Sequence, residues 1–202
     1  MQGLGGLAPG LKRGATMSGN KPPTDVTTPL PYQLHGTIND GPRSGTFVAD
    51  RAGRYKVVAW GPGGTRTDSN GTSGANGGGG GLAIKTVRLN KGQSLGIEIP
   101  LPSGSALNDN NNTAVTFPDG TVMRAYTGTR TNTGSLVPGG AATGGDINVS
   151  GEPGVVGAPG AAGAAASYGE FIGGGAKQAP GGGGGPLPGT GVGQVLVLYL
   201  GE

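Results

Sequence analysis

This chain of 202 residues has no cysteine, little charge and few aromatic residues. The absence of cysteine excludes a disulfide scaffold, a cysteine–zinc site and a thiol nucleophile. Aromatic residues make up 4% of the chain, charged residues 12% and hydrophobic residues 33%. A large conventional core cannot be built from this composition, and the scarcity of charge also departs from the usual composition of disordered chains.

Long apolar stretches and basic runs are missing as well. No stretch approaches the length of a membrane-spanning helix, so we expect no membrane insertion. Residues 1–10 lack the basic start and the apolar stretch of a signal peptide, and release by cell lysis would replace ordinary secretion. The net charge is +3 and the basic residues are scattered, so we expect no nucleic-acid partner.

Residues suited to catalysis or to metal binding do not cluster in the sequence. The chain has one histidine, His35, and a lone histidine cannot form a metal site. The acidic residues stand singly, without the spacing that pairs two carboxylates for acid–base catalysis. No lysine lies in a Walker A loop and no serine in a nucleophile elbow. We therefore expect no enzyme activity, no cofactor and no metal.

Glycine is abundant and is concentrated in two tracts. Of the 48 glycines, ten lie between Gly61 and Gly81 and 22 between Gly134 and Gly193. Glycine loses more backbone freedom on folding than any other residue. Such tracts are therefore either disordered or used where backbones approach each other closely.

Runs of β-branched and aromatic residues frame the two tracts and predict strands. The predicted strands are Thr46–Val48, Arg54–Trp60, Leu82–Leu89, Ser94–Ile99, Ala114–Phe117, Thr121–Tyr126 and Gln194–Leu200. Asn90–Gly92 and Pro118–Gly120 predict hairpin turns. The last strand is apolar on both faces, so we expect it to be a central strand that returns to pair with the first ones. No segment predicts an α-helix.

Spacing within the second tract indicates how glycine can be ordered. From Gly151 to Gly163 a glycine recurs at every third residue, which is the period of the polyproline II helix. The uninterrupted runs 77–81 and 181–185 can pack on all sides. A collagen-like helix and a flexible linker are the alternatives. The sequence thus predicts an all-β fold, with a β-sandwich-like framework, glycine-rich polyproline II (polyglycine II) helices and no α-helix.

Two regions differ in composition. Residues 1–45 are punctuated by proline and predict an extended N-terminal docking arm, and residues 46–202 predict the glycine-rich domain.

Polar or aromatic inserts at 65–73, 128–135 and 165–172 interrupt the glycine tracts. Arginine and aromatic residues dominate binding hot spots, so these inserts supply candidate residues for surface recognition. The candidates are Arg66, Asn70, Tyr126, Arg130, Asn132, Tyr168 and Phe171. For Tyr126 and Phe171 the alternative is that they fill a thin core.

Three segments carry a resemblance to a known family. In KVVAWGPGG (56–64) a predicted strand is followed by glycine, and in GGGGGLAIKTVRL (77–89) a glycine run is followed by a predicted strand. The next strand lies in KGQSLGIEI (91–99). Together with the later glycine runs and the terminal strand, they resemble the glycine-rich domain of bacteriophage tail-fibre and receptor-binding proteins. Strands frame the glycine tracts here, in place of a wholly polyglycine architecture.

The resemblance implies a protein of the virion, made in the host cytoplasm and released by lysis. Its partners would be a receptor on the bacterial surface (a protein, a pilus or a polysaccharide) and other tail or fibre proteins, reached through the arm. A homotrimer and a single copy both stay open. Two other functions stay open as well, a purely structural fibre subunit and an ice-binding protein.

Overall fold

Strands supply the regular structure of the residues that the computed structural model describes, which are 32–35, 43–64, 77–100, 111–129, 137–154, 164–171 and 191–202. No helix occurs among these residues, as predicted. The strands are β1 (Tyr32–His35), β2 (Arg43–Val48), β3 (Gly53–Trp60), β4 (Leu82–Leu89), β5 (Ser94–Ile99), β6 (Asn112–Thr116), β7 (Val122–Tyr126), β8 (Ala142–Thr143), β9 (Ile147–Val149) and β10 (Gln194–Gly201).

The strands form two antiparallel sheets. The first sheet has the order β1-β10-β3-β4-β9 and the second the order β2-β5-β6-β7-β8. β10 lies between β1 and β3, where Val197 stands opposite Tyr32 on one side and Val57 on the other. The predicted return of the last strand to the first ones is therefore confirmed.

A core of apolar side chains lies between the two sheets, because the strands alternate apolar and polar positions. In β5, Leu95, Ile97 and Ile99 are buried while the residues between them are exposed. Burying each such side chain stabilises the fold by about 2 kcal/mol. The buried core residues are Ala49, Tyr55, Val57, Ala59, Ala83, Leu89, Leu95, Ile97, Ile99, Val115, Phe117, Met123, Ala125, Val195 and Val197. Since both sheets contribute their inner faces, the framework is a β-sandwich, as predicted.

A second apolar cluster covers part of the outer face of the first sheet. Trp60 and Leu82, at adjoining ends of β3 and β4, pack there with Phe171 and two alanines, Ala165 and Ala166. This cluster explains why the sequence of β10 is apolar on both faces. Its odd-numbered valines face the inner core, and Leu196 and Leu198 pack against the second cluster.

Both predicted turns are present, but only the turn at Pro118–Gly120 joins the two strands of a hairpin. The prediction of a hairpin at Asn90–Gly92 is wrong, because β4 and β5 lie in different sheets and the chain crosses from one sheet to the other at this turn. Gly92 (φ 86°) lies between β4 and β5, and Gly120 (φ 81°) lies between β6 and β7. In the second turn, the Gly120 backbone nitrogen donates to the Phe117 oxygen over 2.9 Å. Asp119 Oδ1 accepts hydrogen bonds from the Thr121 nitrogen and hydroxyl over 2.9 and 2.7 Å. Glycine suits both turns because it adopts positive φ without strain.

The predicted boundary between the docking arm and the glycine-rich domain, at residue 45, falls inside β2. β1 and the first residues of β2 belong to the segment in which the sequence predicts a docking arm. β1 forms one edge of the first sheet and β2 one edge of the second. Residues 1–31 lie outside the described residues, and the docking role of the arm stays a prediction.

Candidate functional site

The first glycine tract forms the centre of a group of hydrogen-bonded segments. We call this group the glycine bundle. It consists of residues 61–64, 77–81, 126–129, 137–141, 151–154 and 164–166. β3 runs directly into this bundle at Gly61, and β4 leaves it after Gly81. The bundle therefore lies at one end of the sandwich.

The backbone bonds of residues 77–81 to two neighbouring segments repeat at every third residue. Gly78 and Gly81 donate to the oxygens of Thr129 and Tyr126, over 3.1 and 3.0 Å. The oxygens of the same two glycines accept from the nitrogens of Gly64 and Gly61 in turn, over 2.8 and 2.9 Å. Each neighbouring segment thus meets the central one at residues that are three apart.

Three further polar groups of the central segment bond to other segments. Gly79 donates to the oxygen of Glu152 over 2.9 Å, and its own oxygen accepts from Gly140 over 2.8 Å. The Gly80 oxygen accepts from Ala166 over 3.0 Å. Residues 77–81 therefore bond in several directions, unlike a strand, whose partners lie on only two sides.

Close packing explains why this segment is glycine throughout. An ideal Cβ on Gly79 would overlap the backbone oxygen of Ala164, and one on Gly78 would overlap the oxygen of Pro138. The same holds for the other central glycines, 77, 80 and 81, each against a backbone oxygen. A backbone carbonyl cannot move aside as a flexible side chain can, so any side chain here would force the segments apart.

The bundle gathers ends of four of the connections that run outside the described residues. Residues 65–76 begin after Gly64 and end before Gly77, and both flanking glycines belong to the bundle. Residues 130–136 are flanked by Thr129 and Val137, which lie in neighbouring segments since Thr129 donates to the Pro138 oxygen over 3.0 Å.

Two further connections have ends at the bundle. Val137 and Gly154 exchange backbone bonds of 3.0 and 2.8 Å, and Gly154 precedes residues 155–163. Gly63 donates to the oxygen of Gly191, the residue that follows 172–190, over 2.9 Å. The flanks of four connections are thus joined by backbone hydrogen bonds.

The seven predicted binding residues divide into two groups. Arg66, Asn70, Arg130 and Asn132 lie outside the described residues, but the residues that flank their connections meet in the bundle. The other three, Tyr126, Tyr168 and Phe171, are described.

The three described candidates have different surroundings. Tyr126 ends β7 with its side chain half-buried, and its backbone oxygen belongs to the bundle. Tyr168 is 50% exposed, whereas Phe171 is 8% exposed and packs edge-on against Trp60, with 6.4 Å between the ring centroids. Packing against Trp60 explains the aromatic residue at position 171, whereas the exposed ring of Tyr168 offers a surface to a partner.

A tight turn presents Tyr168. The backbones of Tyr168 and Phe171 exchange hydrogen bonds of 2.9 and 3.0 Å, and Gly169 between them has φ 56°. Lys56 Nζ lies 3.5 Å from Glu170 Oε1 and 5.1 Å from the Phe171 ring centroid. These contacts fix the turn on the outer face of β3.

A groove lies at the end of β4 that points away from the glycine bundle, and it was not predicted from the sequence. It has a volume of about 270 Å³ and lies between β4 and the turn of the β6–β7 hairpin. Its lining residues are Lys85, Val87, Arg88, Leu89, Gln93, Phe117, Pro118 and Asp119. One signal was available, because Lys85 occupies an inward position in the alternation of β4, between Ala83 and Val87.

Among the described residues, two carboxyl groups, one phenol and the Arg51 guanidinium have shifted pKa values. Hydrogen bonds from Thr121 lower the pKa of Asp119 below 3.8. The hydrogen bond from Arg51 lowers the pKa of Asp50. Burial raises the pKa of Tyr55 above 10.0. None of these groups lies in the glycine bundle.

Among the described residues, no group of three acidic or histidine side chains could hold a metal ion, and no helix there is long and apolar enough to cross a membrane. Comparison with known proteins finds no family model that matches the chain and no curated sequence that is similar to it.

Proposed function

We propose that this protein is a bacteriophage tail-fibre or tail-tip protein that attaches the virion to a receptor on the bacterial surface, and that it is not an enzyme. The glycine bundle is the observation that carries the proposal. It joins the flanks of the connections on which Arg66, Asn70, Arg130 and Asn132 lie, at one end of a β-sandwich. A surface made of several such connections suits recognition.

The bundle favours binding because it fixes the ends of the connections. Flanking residues such as Thr129 and Gly154 form backbone hydrogen bonds with neighbouring segments. An added Cβ on Gly64 or Gly77 would overlap a backbone oxygen. A binding surface held in this way loses less conformational entropy when it meets a receptor. The three-residue repeat of the bonds at 77–81 equals the period of polyproline II and supports the predicted polyglycine II helices, which stay a prediction.

The proposed partners follow from the resemblance of the chain to the glycine-rich domain of bacteriophage tail-fibre and receptor-binding proteins. The receptor is a protein, a pilus or a polysaccharide of the host surface, and residues 1–45 dock to other tail or fibre proteins. The protein acts in the virion after release by lysis, as a homotrimer or as a single copy.

Binding to bacterial cells tests the recognition role. Fluorescently labelled full chain would be incubated with a panel of bacterial strains, and bound protein would be measured by flow cytometry. On a strain that binds the chain, Arg130→Ala and Tyr168→Ala should each weaken binding about tenfold, as expected for hot-spot residues. Arg54→Ala is the matched control, because Arg54 is exposed at the other end of β3.

Loss of binding in the two candidate variants, with binding retained in Arg54→Ala, supports recognition at the bundle end. Wild-type binding by both candidate variants refutes that assignment. In that case a purely structural fibre subunit becomes the better account, and electron microscopy of virions would then place the protein along the fibre shaft rather than at its tip.

A further inference from the structure

Four strands lie at the edges of the two sheets, and each leaves one side of its backbone without a partner strand among the described residues. They are β1 and β9 in the first sheet and β2 and β8 in the second. An unpaired edge is a template for a further strand, and natural proteins protect such edges by shortening, charging or interrupting them. An edge without this protection is therefore a candidate interaction surface.

Most of the unpaired backbone is protected. β1 has four residues, β9 has three and β8 has two. β4 also has an unpaired half, because β9 pairs only with Leu82–Ile84. That half carries Lys85 and Arg88, and Asp146 Oδ2 accepts a hydrogen bond of 2.8 Å from its Thr86 nitrogen. Short length, charge and the carboxylate oppose strand addition at these places.

The edge strand β2 has none of these protections. It is six residues long, its part from Ser44 to Val48 contains no charged residue and no proline, and its register with β5 is unbroken. The side chains of Ser44, Thr46 and Val48 are exposed, and Val48 has 54% of its surface open to solvent. β2 is therefore the edge best suited to receive another strand.

The backbone groups of β2 point alternately towards β5 and towards the open side of the edge. Ala49, which directly follows β2, donates its nitrogen to the Gln93 oxygen over 2.9 Å and thus points towards the β5 side. In an antiparallel pair this direction alternates from one residue to the next. Ser44, Thr46 and Val48 therefore direct their backbone nitrogens and oxygens away from β5, where no strand among the described residues pairs with them.

A second copy of β2 fits this edge in antiparallel orientation. If Thr46 lies opposite Thr46 of the second copy, Ser44 of each copy faces Val48 of the other. All three open positions are then paired, and each pair exchanges two backbone hydrogen bonds, about six in total. A shift of the register by two residues would pair Ser44 or Val48 with a residue outside β2, so the register centred on Thr46 is the best one.

The side chains of β2 favour the same register. Threonines that face each other across two strands stabilise the pair. On the inner face, Gly45 would stand opposite Phe47 of the second copy, and an aromatic ring beside an edge glycine covers the backbone that glycine leaves open. The antiparallel orientation also keeps the two Arg43 side chains at opposite ends of the contact, whereas parallel strands would place them together.

We propose that two copies of this chain associate through β2, with antiparallel strands centred on Thr46, so that their second sheets become one continuous sheet. This pair is a third state of assembly beside the homotrimer and the single copy, and it does not rest on the proposed recognition role. Together with that role it would join two recognition surfaces, and linked surfaces bind a repetitive receptor more strongly. One strand pair buries less surface than a standard interface, so the dissociation constant should be on the order of 0.1 mM.

Sedimentation equilibrium of the full chain tests the association. Between about 10 µM and 1 mM, the average mass of the wild type should rise from that of one chain towards that of two. Thr46→Lys places two ammonium groups opposite each other at the centre of the contact and should weaken association about tenfold or more. Thr116→Lys is the matched control, because Thr116 is exposed on the same outer face but lies on β6, inside the sheet. It should change association by less than about twofold.

Thr46→Pro removes the central donor of the edge. The Thr46 nitrogen faces the open side, so proline there breaks no hydrogen bond within the sheet, and proline is tolerated at such edge positions. Association should weaken about tenfold or more, while circular dichroism shows an unchanged fold. If Thr46→Pro fails to fold, Thr46→Lys, an exposed change, keeps the test valid.

Disulfide formation tests the register. The chain has no cysteine, so a single introduced cysteine reports only contacts between copies. Residues opposite each other in a hydrogen-bonded pair have Cα atoms about 5.5 Å apart, within the range of a disulfide. With oxidised glutathione as the oxidant, Thr46→Cys should form a linked dimer. Ser44→Cys should stay largely unlinked, because the two copies of position 44 would lie about 14 Å apart.

Three results would overturn the proposal. The first is a wild type that stays a single chain up to about 1 mM, in which case the edge is left to a strand of another protein. The second is equal association of Thr46→Lys and Thr116→Lys, which would place the contact elsewhere. The third is equal linking of Thr46→Cys and Ser44→Cys. None of these measurements involves a receptor, so a failure of the recognition role would leave them unchanged.

Discussion

Trp60 Nε1 donates a hydrogen bond of 3.2 Å to the backbone oxygen of Ala166, and both residues are buried. This bond ties the segment 164–171, and with it the Tyr168 turn, to the end of β3. Trp60→Phe would remove the donor, leave the Ala166 oxygen unpaired and open a small cavity. We expect a loss of about 2 kcal/mol in the free energy of unfolding.

Urea unfolding followed by circular dichroism measures this loss, since Trp60 is the one tryptophan of the chain and the variant has no tryptophan fluorescence. Tyr168→Ala on the same segment is the control and should change stability by less than about 0.5 kcal/mol. Equal stability of Trp60→Phe and the wild type would show that the bond does not anchor the segment.

Thr113 is buried in β6 with a hydroxyl that has no hydrogen-bond partner among the described residues. An unpaired buried hydroxyl costs free energy, and valine has nearly the same shape without it. Thr113→Val should therefore raise the free energy of unfolding by about 1 kcal/mol. Thr116→Val, an exposed change on the same strand, should be close to neutral in the same denaturant titration. Destabilisation by Thr113→Val would mean that the hydroxyl is paired in solution.

Tyr55 predicts a pH dependence at the alkaline end. Its hydroxyl donates to the Arg51 oxygen over 2.8 Å, and burial raises its pKa above 10.0. The folded state therefore holds this proton more tightly than the unfolded state. The resulting stability is present below about pH 10 and is lost as pH rises through the folded pKa.

Tyr55→Phe removes both the hydrogen bond to Arg51 and the titrating hydroxyl, and their effects on stability appear at different pH values. At neutral pH it should lower the free energy of unfolding by about 1 kcal/mol, because the hydrogen bond is lost. Above about pH 10 it should lose less stability with rising pH than the wild type does. Unfolding curves at both pH values measure this, and parallel losses in the two proteins would contradict the assignment to Tyr55.

Local patterning predicted most of the sandwich. The sequence bounds of the strands Leu82–Leu89 and Ser94–Ile99 are those of β4 and β5, since alternation and the turn between them are local signals. That this turn joins two sheets, and not two strands of a hairpin, depends on long-range pairing. β1, β8 and β9 have two to four residues and carry no such pattern. These segments form strands because they pair with neighbouring strands, and so short a sequence does not indicate which neighbours it will have.

The candidate site was only partly predictable. Runs of glycine pointed to close packing, and the bonds of residues 77–81 repeat with the expected period of three. Which segments meet in the bundle depends on distant contacts, such as that of Gly79 with Glu152. The groove brings Lys85 together with Asp119 from another hairpin, so its existence depends on how the two sheets stack.

The central claim is that glycine packs the segments on which the proposed recognition surface rests. Equilibrium unfolding in urea of Gly79→Ala beside Gly96→Ala tests it most directly. A Cβ on Gly79 would overlap the Ala164 oxygen, whereas one on Gly96 would lie 3.7 Å from the Thr116 Cβ, an ordinary contact on an exposed strand face. Gly79→Ala should lose about 3 kcal/mol or more, or fail to fold, while Gly96→Ala should gain about 0.5 kcal/mol. Equal stability of the two variants would contradict the claim.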